Sequence, residues 1–342
     1  YFNSKSLVVR NYYRLKAYNH RVAGIIGDST SCLYKATGQS AEGEAAVRVA
    51  AKAIGEGASY IWGDNAKRLA FAADRGNGKW MQRRWAATTT GTPVAGMTLT
   101  LDTRSIRKLE PLGEGESYYL AVDNSGTGKF PVGQLRYYKA HMGQADSVTF
   151  MGISAGVGES VFTFRAAKDF FSTIDVEQPR CSTGAKGALR VLLTGGTPPY
   201  RLTASVDGKA VCVHATADSI VTVPSLTQGK YVILAYDSSG KSLCSEVTLH
   251  NADLADVPDL EDVSFAQGAE RDYHLETKGN YACRWKTPAG KYLDDRRVTL
   301  EEDGEYLVEL TNDDGCSTLR TLKWAMVSHA TRCRLTLLVT AM

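Results

Sequence analysis

No stretch of the 342 residues approaches the eighteen or more apolar positions that a membrane-crossing helix requires. Charge of one sign is also lacking: Lys+Arg 40 against Asp+Glu 37 leaves +3. That balance excludes a nucleic-acid binder working through a broad basic face. The seven cysteines, Cys32, Cys181, Cys212, Cys244, Cys283, Cys316 and Cys333, stand singly with no C-x-x-C pair. A zinc ribbon or a thioredoxin-like site is therefore not indicated. The six histidines show neither H-x-H nor H-E-x-x-H spacing. Proline is sparse at 9, whereas Gly 32 and Tyr 17 are plentiful, a balance that points to strands joined by many turns. Hydrophobic residues at 43% and charged residues at 23% fit a folded soluble protein, and the length suits two or three domains. The chain starts at Tyr1, so the reading expects further chain upstream and draws nothing from the lack of a targeting segment.

Alternation runs through much of the chain. Ser59-Tyr60-Ile61-Trp62 leads into Gly63-Asp64-Asn65. Thr98 to Leu101, Tyr118 to Val122, Ser147 to Phe150 and Ser160 to Phe164 follow, separated by Gly/Asp/Asn/Ser turns. Such spacing predicts a β-sandwich, with helix below about 15% of the chain against a globular average near a third. Ala41 to Glu56 is the contested segment. Its alanines favour a helix, while Val47 and Val49 flanking Arg48 fit a strand. In each of Tyr118-Tyr119 and Tyr137-Tyr138, one ring is expected in the core and the other outside.

A boundary falls between Phe170 and Pro179, and an internal repeat lies beyond it. Gly229-Lys230-Tyr231 with Asp237 and Gly240 recurs 75 positions later as Gly304-Glu305-Tyr306 with Asn312 and Gly315. The predicted organisation is a β-rich domain over 1–170, a β-sandwich over 175–252, a second over 253–325, and a tail over 326–342. The fold class is all-β, in tandem immunoglobulin-like sandwich modules.

Three strings invite chemistry. Gly152-Ile153-Ser154-Ala155-Gly156 has the spelling of a nucleophile elbow, but a strand-like run follows where a helix is needed. Gly126-Thr127-Gly128-Lys129 lacks the first glycine and the Ser/Thr of a phosphate loop. Asp123 to Gly128 is a polar turn with one carboxylate, too few for a calcium loop, and is read as a solvated turn. Trp80 and Trp85 flank Arg83-Arg84; exposed indoles would stack on sugar rings, yet Trp85 in a strand is expected in the core. No catalytic, metal or cofactor residue is assigned.

Cys181-Ser-Thr-Gly184, Gly195-Gly196-Thr-Pro198-Pro199-Tyr200, Gly229-Lys-Tyr231 and Asp237-Ser-Ser-Gly240 together resemble an SprB-type repeat of large Bacteroidetes surface adhesins. Residues 253–325 resemble the immunoglobulin-like or PKD-like modules of the same proteins. Tyr18-Asn-His-Arg21, Gly24, Gly27-Asp28, Gly63-Asp64-Asn65, Arg84-Trp85 and Leu120-Ala-Val-Asp123 are similar to a domain of unknown function found in cargo of the type IX secretion system.

The resemblance implies a secreted or surface-exposed, non-enzymatic adhesive or structural protein, associated with the outer membrane. Its partners would be other surface proteins or glycans, with no nucleic acid. The alternatives are an accessory region of a larger secreted hydrolase and a subunit of an outer-membrane assembly. The resemblance also implies a Cys181–Cys244 disulfide and, in the next module, Cys283–Cys316. A Cys212–Cys244 bridge and fully reduced thiols remain the rival arrangements. Asp28-Ser29-Thr30, Asp146-Ser147-Val148 and Asp218-Ser219-Ile220 match an O-glycosylation pattern of those bacteria, placing the modification on Ser29, Ser147 and Ser219.

Overall fold

The computed structural model describes residues 16–73, 78–104, 112–142, 146–254, 257, 260, 263–266, 272–277, 280–313 and 315–327. The named elements among them are strands and three short 3-10 turns. Ala41 to Glu56 settles as turns around a strand, Val47–Ala50. Val47 and Val49 are buried and Arg48 is exposed, so the two-residue period overrides alanine's preference for helix.

In the first part of the chain, a large sheet runs in the order Leu135–Lys139, Glu116–Asp123, Gly158–Lys168, Trp85–Thr90, Ala58–Asp64, His20–Asp28, Leu33–Lys35. A five-stranded sheet faces it, ordered His141–Met142, Ser147–Ala155, Val94–Asp102, Val47–Ala50, Thr37–Gln39. Both inner faces meet in one core. There Trp85 stacks on Phe162 at 5.5 Å, and Phe150 meets Phe164 across the sheets at 5.5 Å. Trp85 is thus a core residue, as its strand position predicts.

The expectation for Tyr118 and Tyr119 is overturned, because both are buried. Tyr118 enters the sandwich core, while Tyr119 points to the opposite face and packs edge-on against Phe171 and Tyr137. The strand is covered on both sides, so alternation of direction does not produce alternation of exposure. On that second face the guanidinium of Arg165, fully buried, lies 4.5 Å from the Phe171 ring centre and 5.1 Å from Trp80. It donates to Thr173 Oγ1 and Tyr137 OH.

Further along, Phe170–Glu177, Gly187–Gly195 and Ile220–Leu226 form a three-stranded sheet. Lys209–Thr216, Tyr200–Val206, Gly229–Tyr236 and Ser242–Leu249 form a four-stranded one, in that order. Beyond Val263 comes a five-stranded sheet, Val263–Ala266, Ser317–Val327, Gly304–Thr311, Ala282–Lys286, Tyr292–Leu293, with a two-stranded sheet of Asp272–His274 and Arg297–Thr299. Its core is built on Trp285, whose indole N–H donates to the Asp295 carbonyl. By packing, the chain falls into two compact units. One takes residues 1–175, 190–222 and 232–247, and the other takes 176–189, 223–231 and 248–342.

The 75-residue repeat has a physical basis. Tyr231 OH donates to the carbonyl of Thr227, four residues back, and Tyr306 OH does the same to Glu302. The turns after the two strands also coincide. Asp237 N–H donates to the Lys241 carbonyl, and Lys241 N–H returns to Asp237 Oδ1. Asn312 and Cys316 make the same reciprocal pair. Burial opposes the Asp237 charge, but the Ser239 hydroxyl and the amides of Thr197, Lys241 and Ser239 outweigh it and hold the carboxyl below its usual value. A folded-state value below the unfolded one, near 3.9, gives stability that is complete above the unfolded value and is lost as the pH falls from there through the folded value. Lowering the pH from 6 to 3 is therefore expected to depress the thermal midpoint of the wild type more than that of Asp237→Asn.

Candidate functional site

The residues that carry the N-terminal resemblance interlock. Asp64, buried at the end of its strand, accepts from Arg21 Nε at 2.6 Å, Arg21 Nη2 at 2.5 Å and the Ala66 N–H at 2.8 Å. That hydrogen bond raises the Arg21 guanidinium further above its ordinary range. Asn65 clasps the Arg84 backbone, donating N–H to the Arg84 carbonyl and accepting the Arg84 N–H on Oδ1. Arg84 in turn donates Nη1 to the Gly128 carbonyl and lies over the Phe130 ring.

The Asp123 turn is organised from within. Oδ1 accepts the Ser125 N–H and hydroxyl, and Oδ2 accepts Thr127 Oγ1 and the N–H groups of Gly128 and Phe130. The carboxylate is fully buried and meets five donors of its own loop. It acts as a loop organiser rather than a solvated turn residue. Asp123→Ala is expected to cost about 3 kcal/mol or more, since it strips partners from buried amides. An unchanged denaturant midpoint would contradict this.

Ala66, held by its N–H to Asp64, is where this framework reaches a cleft of about 1010 Å³. Its charged lining is Glu44, Arg68, Arg83, Asp102 and Arg104, and its apolar lining is Ala45, Ala46, Ala66, Leu69 and Ala70. Arg83 is buried and donates Nε to the Lys67 carbonyl, Nη1 to the Glu44 carbonyl and Nη2 to Glu44 Oε2 at 2.8 Å. That hydrogen bond holds the Glu44 carboxyl below its usual range, although Glu44 itself is 70% exposed. Asp102 is lowered in the same way by Arg104, which grips it through Nε and Nη2. Arg68 is exposed and, among the described residues, makes no ion pair. Glu44 (φ 60°) and Ala66 (φ 56°) both occupy the left-handed region on the cleft wall, and Arg21 beside them has φ 47°. Non-glycine residues adopt that conformation only where surrounding contacts enforce it.

A family model matches the part of the chain that holds this cleft. Residues 1–156 match the model described as Domain of unknown function (DUF8202). No curated protein matches the chain. Two of the solved structures that the chain matches are as follows. One is the crystal structure of DIP-gamma IG1+IG2, at 10% identity and TM-score 0.18, covering 46% of this chain and 98% of that one. The other is trypsin-activated alpha-2-macroglobulin from Escherichia coli, at 10% identity and TM-score 0.22, covering 89% of this chain and 28% of that one.

The structure corrects the disulfide pairing. Cys181 bonds to Cys316, with Cα atoms 5.8 Å apart, and Cys244 and Cys283 are free. Cys244 lies on strand Ser242–Leu249, where Leu243 turns into the core and Cys244 turns out. The three residues inserted after Gly240 carry the cysteine past the turn. By the 75-residue offset, the position equivalent to Cys316 is Lys241. The rival Cys212–Cys244 bridge is also excluded. The two cysteines lie on opposite edge strands of one four-stranded sheet, about 14 Å apart at three strand spacings, beyond the reach of a disulfide. Cys283 sits inside the core built on Trp285, and burial pushes its thiol up. Cys333 lies outside the described residues.

The Gly152–Gly156 string belongs to the bulged end of strand Ser147–Ala155 and to the short crossing from the five-stranded sheet into Gly158–Lys168 of the large sheet, so it is neither a strand-turn-helix elbow nor a hairpin. Trp80 is half-buried, tilted on Phe130 at 5.3 Å and covered by Arg165, so its face is not open to a sugar. Ser29 and Ser219 are exposed in turns, and Ser147 is half-buried where its strand begins. The cleft residues 44, 68, 83, 102 and 104 form no motif. Arg83 alone stood beside one, as a neighbour of Trp85.

Proposed function

We propose that the chain is an adhesive or architectural stretch of a secreted or surface-exposed Bacteroidetes protein, exported by the type IX route, with no catalytic step of its own. The observation that carries this reading is the Cys181–Cys316 disulfide. Bridges of this kind persist in oxidising compartments and are rare in the cytosol. The succession of β-sheets supports an architectural role. An accessory region of a larger secreted hydrolase and a subunit of an outer-membrane assembly are the competing roles.

The test treats intact cells with a membrane-impermeant amine label, followed by non-reducing peptide mapping of the native protein. Labelled protein with an intact 181–316 peptide is expected. Unlabelled, cytosolic protein with both thiols alkylatable would overturn the reading. A hydrolase domain in the open reading frame upstream of Tyr1 would transfer the role to the first alternative. Stoichiometric recovery in an outer-membrane particle would transfer it to the second.

A further inference from the structure

The cleft of the first sandwich has more charge than its own pairings use. Arg83 is neutralised by Glu44 and Arg104 by Asp102, which leaves the Arg68 guanidinium as the surplus. We propose that this cleft binds an acidic saccharide, with Arg68 receiving its carboxylate. The proposal rests on the surface reading above and names the ligand class for it.

Three features select this chemistry. First, a guanidinium presents a planar fork that matches a carboxylate through two parallel hydrogen bonds, and Arg68 is exposed to offer it. Second, two carboxylates of the cleft, the exposed Glu44 and the half-buried Asp102, are held ionised by their arginines. They accept hydrogen bonds from hydroxyl groups and repel a ligand that offers them only anionic groups. A sugar acid has both parts, hydroxyls for the rim acceptors and one carboxylate for Arg68. A polyphosphate or a polyaspartate has no hydroxyl groups for the rim. Third, the alanine-rich lining gives an apolar surface for the carbon face of a sugar ring, and about 1010 Å³ accommodates more than one ring. The Arg104–Asp102 pair is an exposed surface contact, Arg104 being 69% exposed, and such pairs exchange for a ligand at little cost. Arg83, by contrast, is fixed by three hydrogen bonds and serves as a positioning residue for Glu44.

The experiment is isothermal titration of the full chain with trigalacturonate, with neutral galactotriose and a hexa-aspartate peptide as comparisons. Trigalacturonate is expected to bind, more weakly as salt is raised, while galactotriose and hexa-aspartate bind at least tenfold less tightly. Arg68→Gln is expected to weaken trigalacturonate binding about ten- to hundredfold, the worth of one charge-assisted contact. Arg68→Lys should recover part of that loss. The Arg68 side chain is exposed, so the thermal midpoint of both variants should match the wild type. Equal binding by Arg68→Gln, equal binding of galactotriose, or binding of hexa-aspartate alone would overturn the proposal. Surface labelling is read separately. Labelled protein that fails to bind trigalacturonate removes this inference and leaves the location standing.

Discussion

Serine at both Cys181 and Cys316 is expected to lower the free energy of unfolding by about 2–5 kcal/mol. The two cysteines are 135 positions apart in sequence. Tying so long a loop removes denatured-state entropy worth about 5 kcal/mol in the chain model, and native strain takes some of it back. Both residues belong to the same compact unit, so the loss should appear in its unfolding transition. Cys244→Ser, an exposed change away from any bridge, should stay within about 0.5 kcal/mol. Denaturant titration of the oxidised wild type and the two variants checks this. A double-serine variant with the wild-type midpoint, or a non-reducing map joining Cys244 to Cys181, would contradict the pairing.

Gly195→Ala is expected to cost about 3 kcal/mol or more. Gly195 sits at φ +73°, and an added Cβ would lie 1.8 Å from the Asp169 carbonyl oxygen, a backbone atom that cannot swing aside. Gly208 provides an internal control. Its φ is also +73°, but nothing lies within 4 Å of where a Cβ would be. Gly208→Ala therefore isolates the cost of the left-handed conformation, about 1–2 kcal/mol, and the difference between the variants measures the close approach. Equal losses for the two would show that Asp169 retreats. The Gly195-Gly196 pair thus has separate demands at each position: at Gly196 a Cβ would meet Phe170 Cδ2 at 2.9 Å and Asp237 Oδ2 at 3.0 Å. Tyr200, the last residue of the same string, secures the turn from outside by donating its hydroxyl to the Gly195 carbonyl.

Much of this fold was legible one element at a time. Val47, Arg48 and Val49 alternate because a strand turns successive side chains to opposite faces. The repeated Gly-x-Tyr marks two strands whose tyrosines reach back to a carbonyl four residues earlier. These are local consequences of backbone sterics and short-range hydrogen bonds, so the residues involved stand next to one another in the chain.

The partner of Cys181, the burial of both Tyr118 and Tyr119, and the gathering of Glu44, Arg68, Arg83, Asp102 and Arg104 around one cleft were decided otherwise. Each depends on which strands become neighbours. The strand carrying Asp64 pairs with that carrying Trp85, and Val47–Ala50 pairs with Val94–Asp102. That brings loops from four places in the sequence to one end of the sandwich. Sheet order is chosen by the packing of whole faces, through contacts between residues tens of positions apart, and it leaves no spacing in the sequence from which such a site is read.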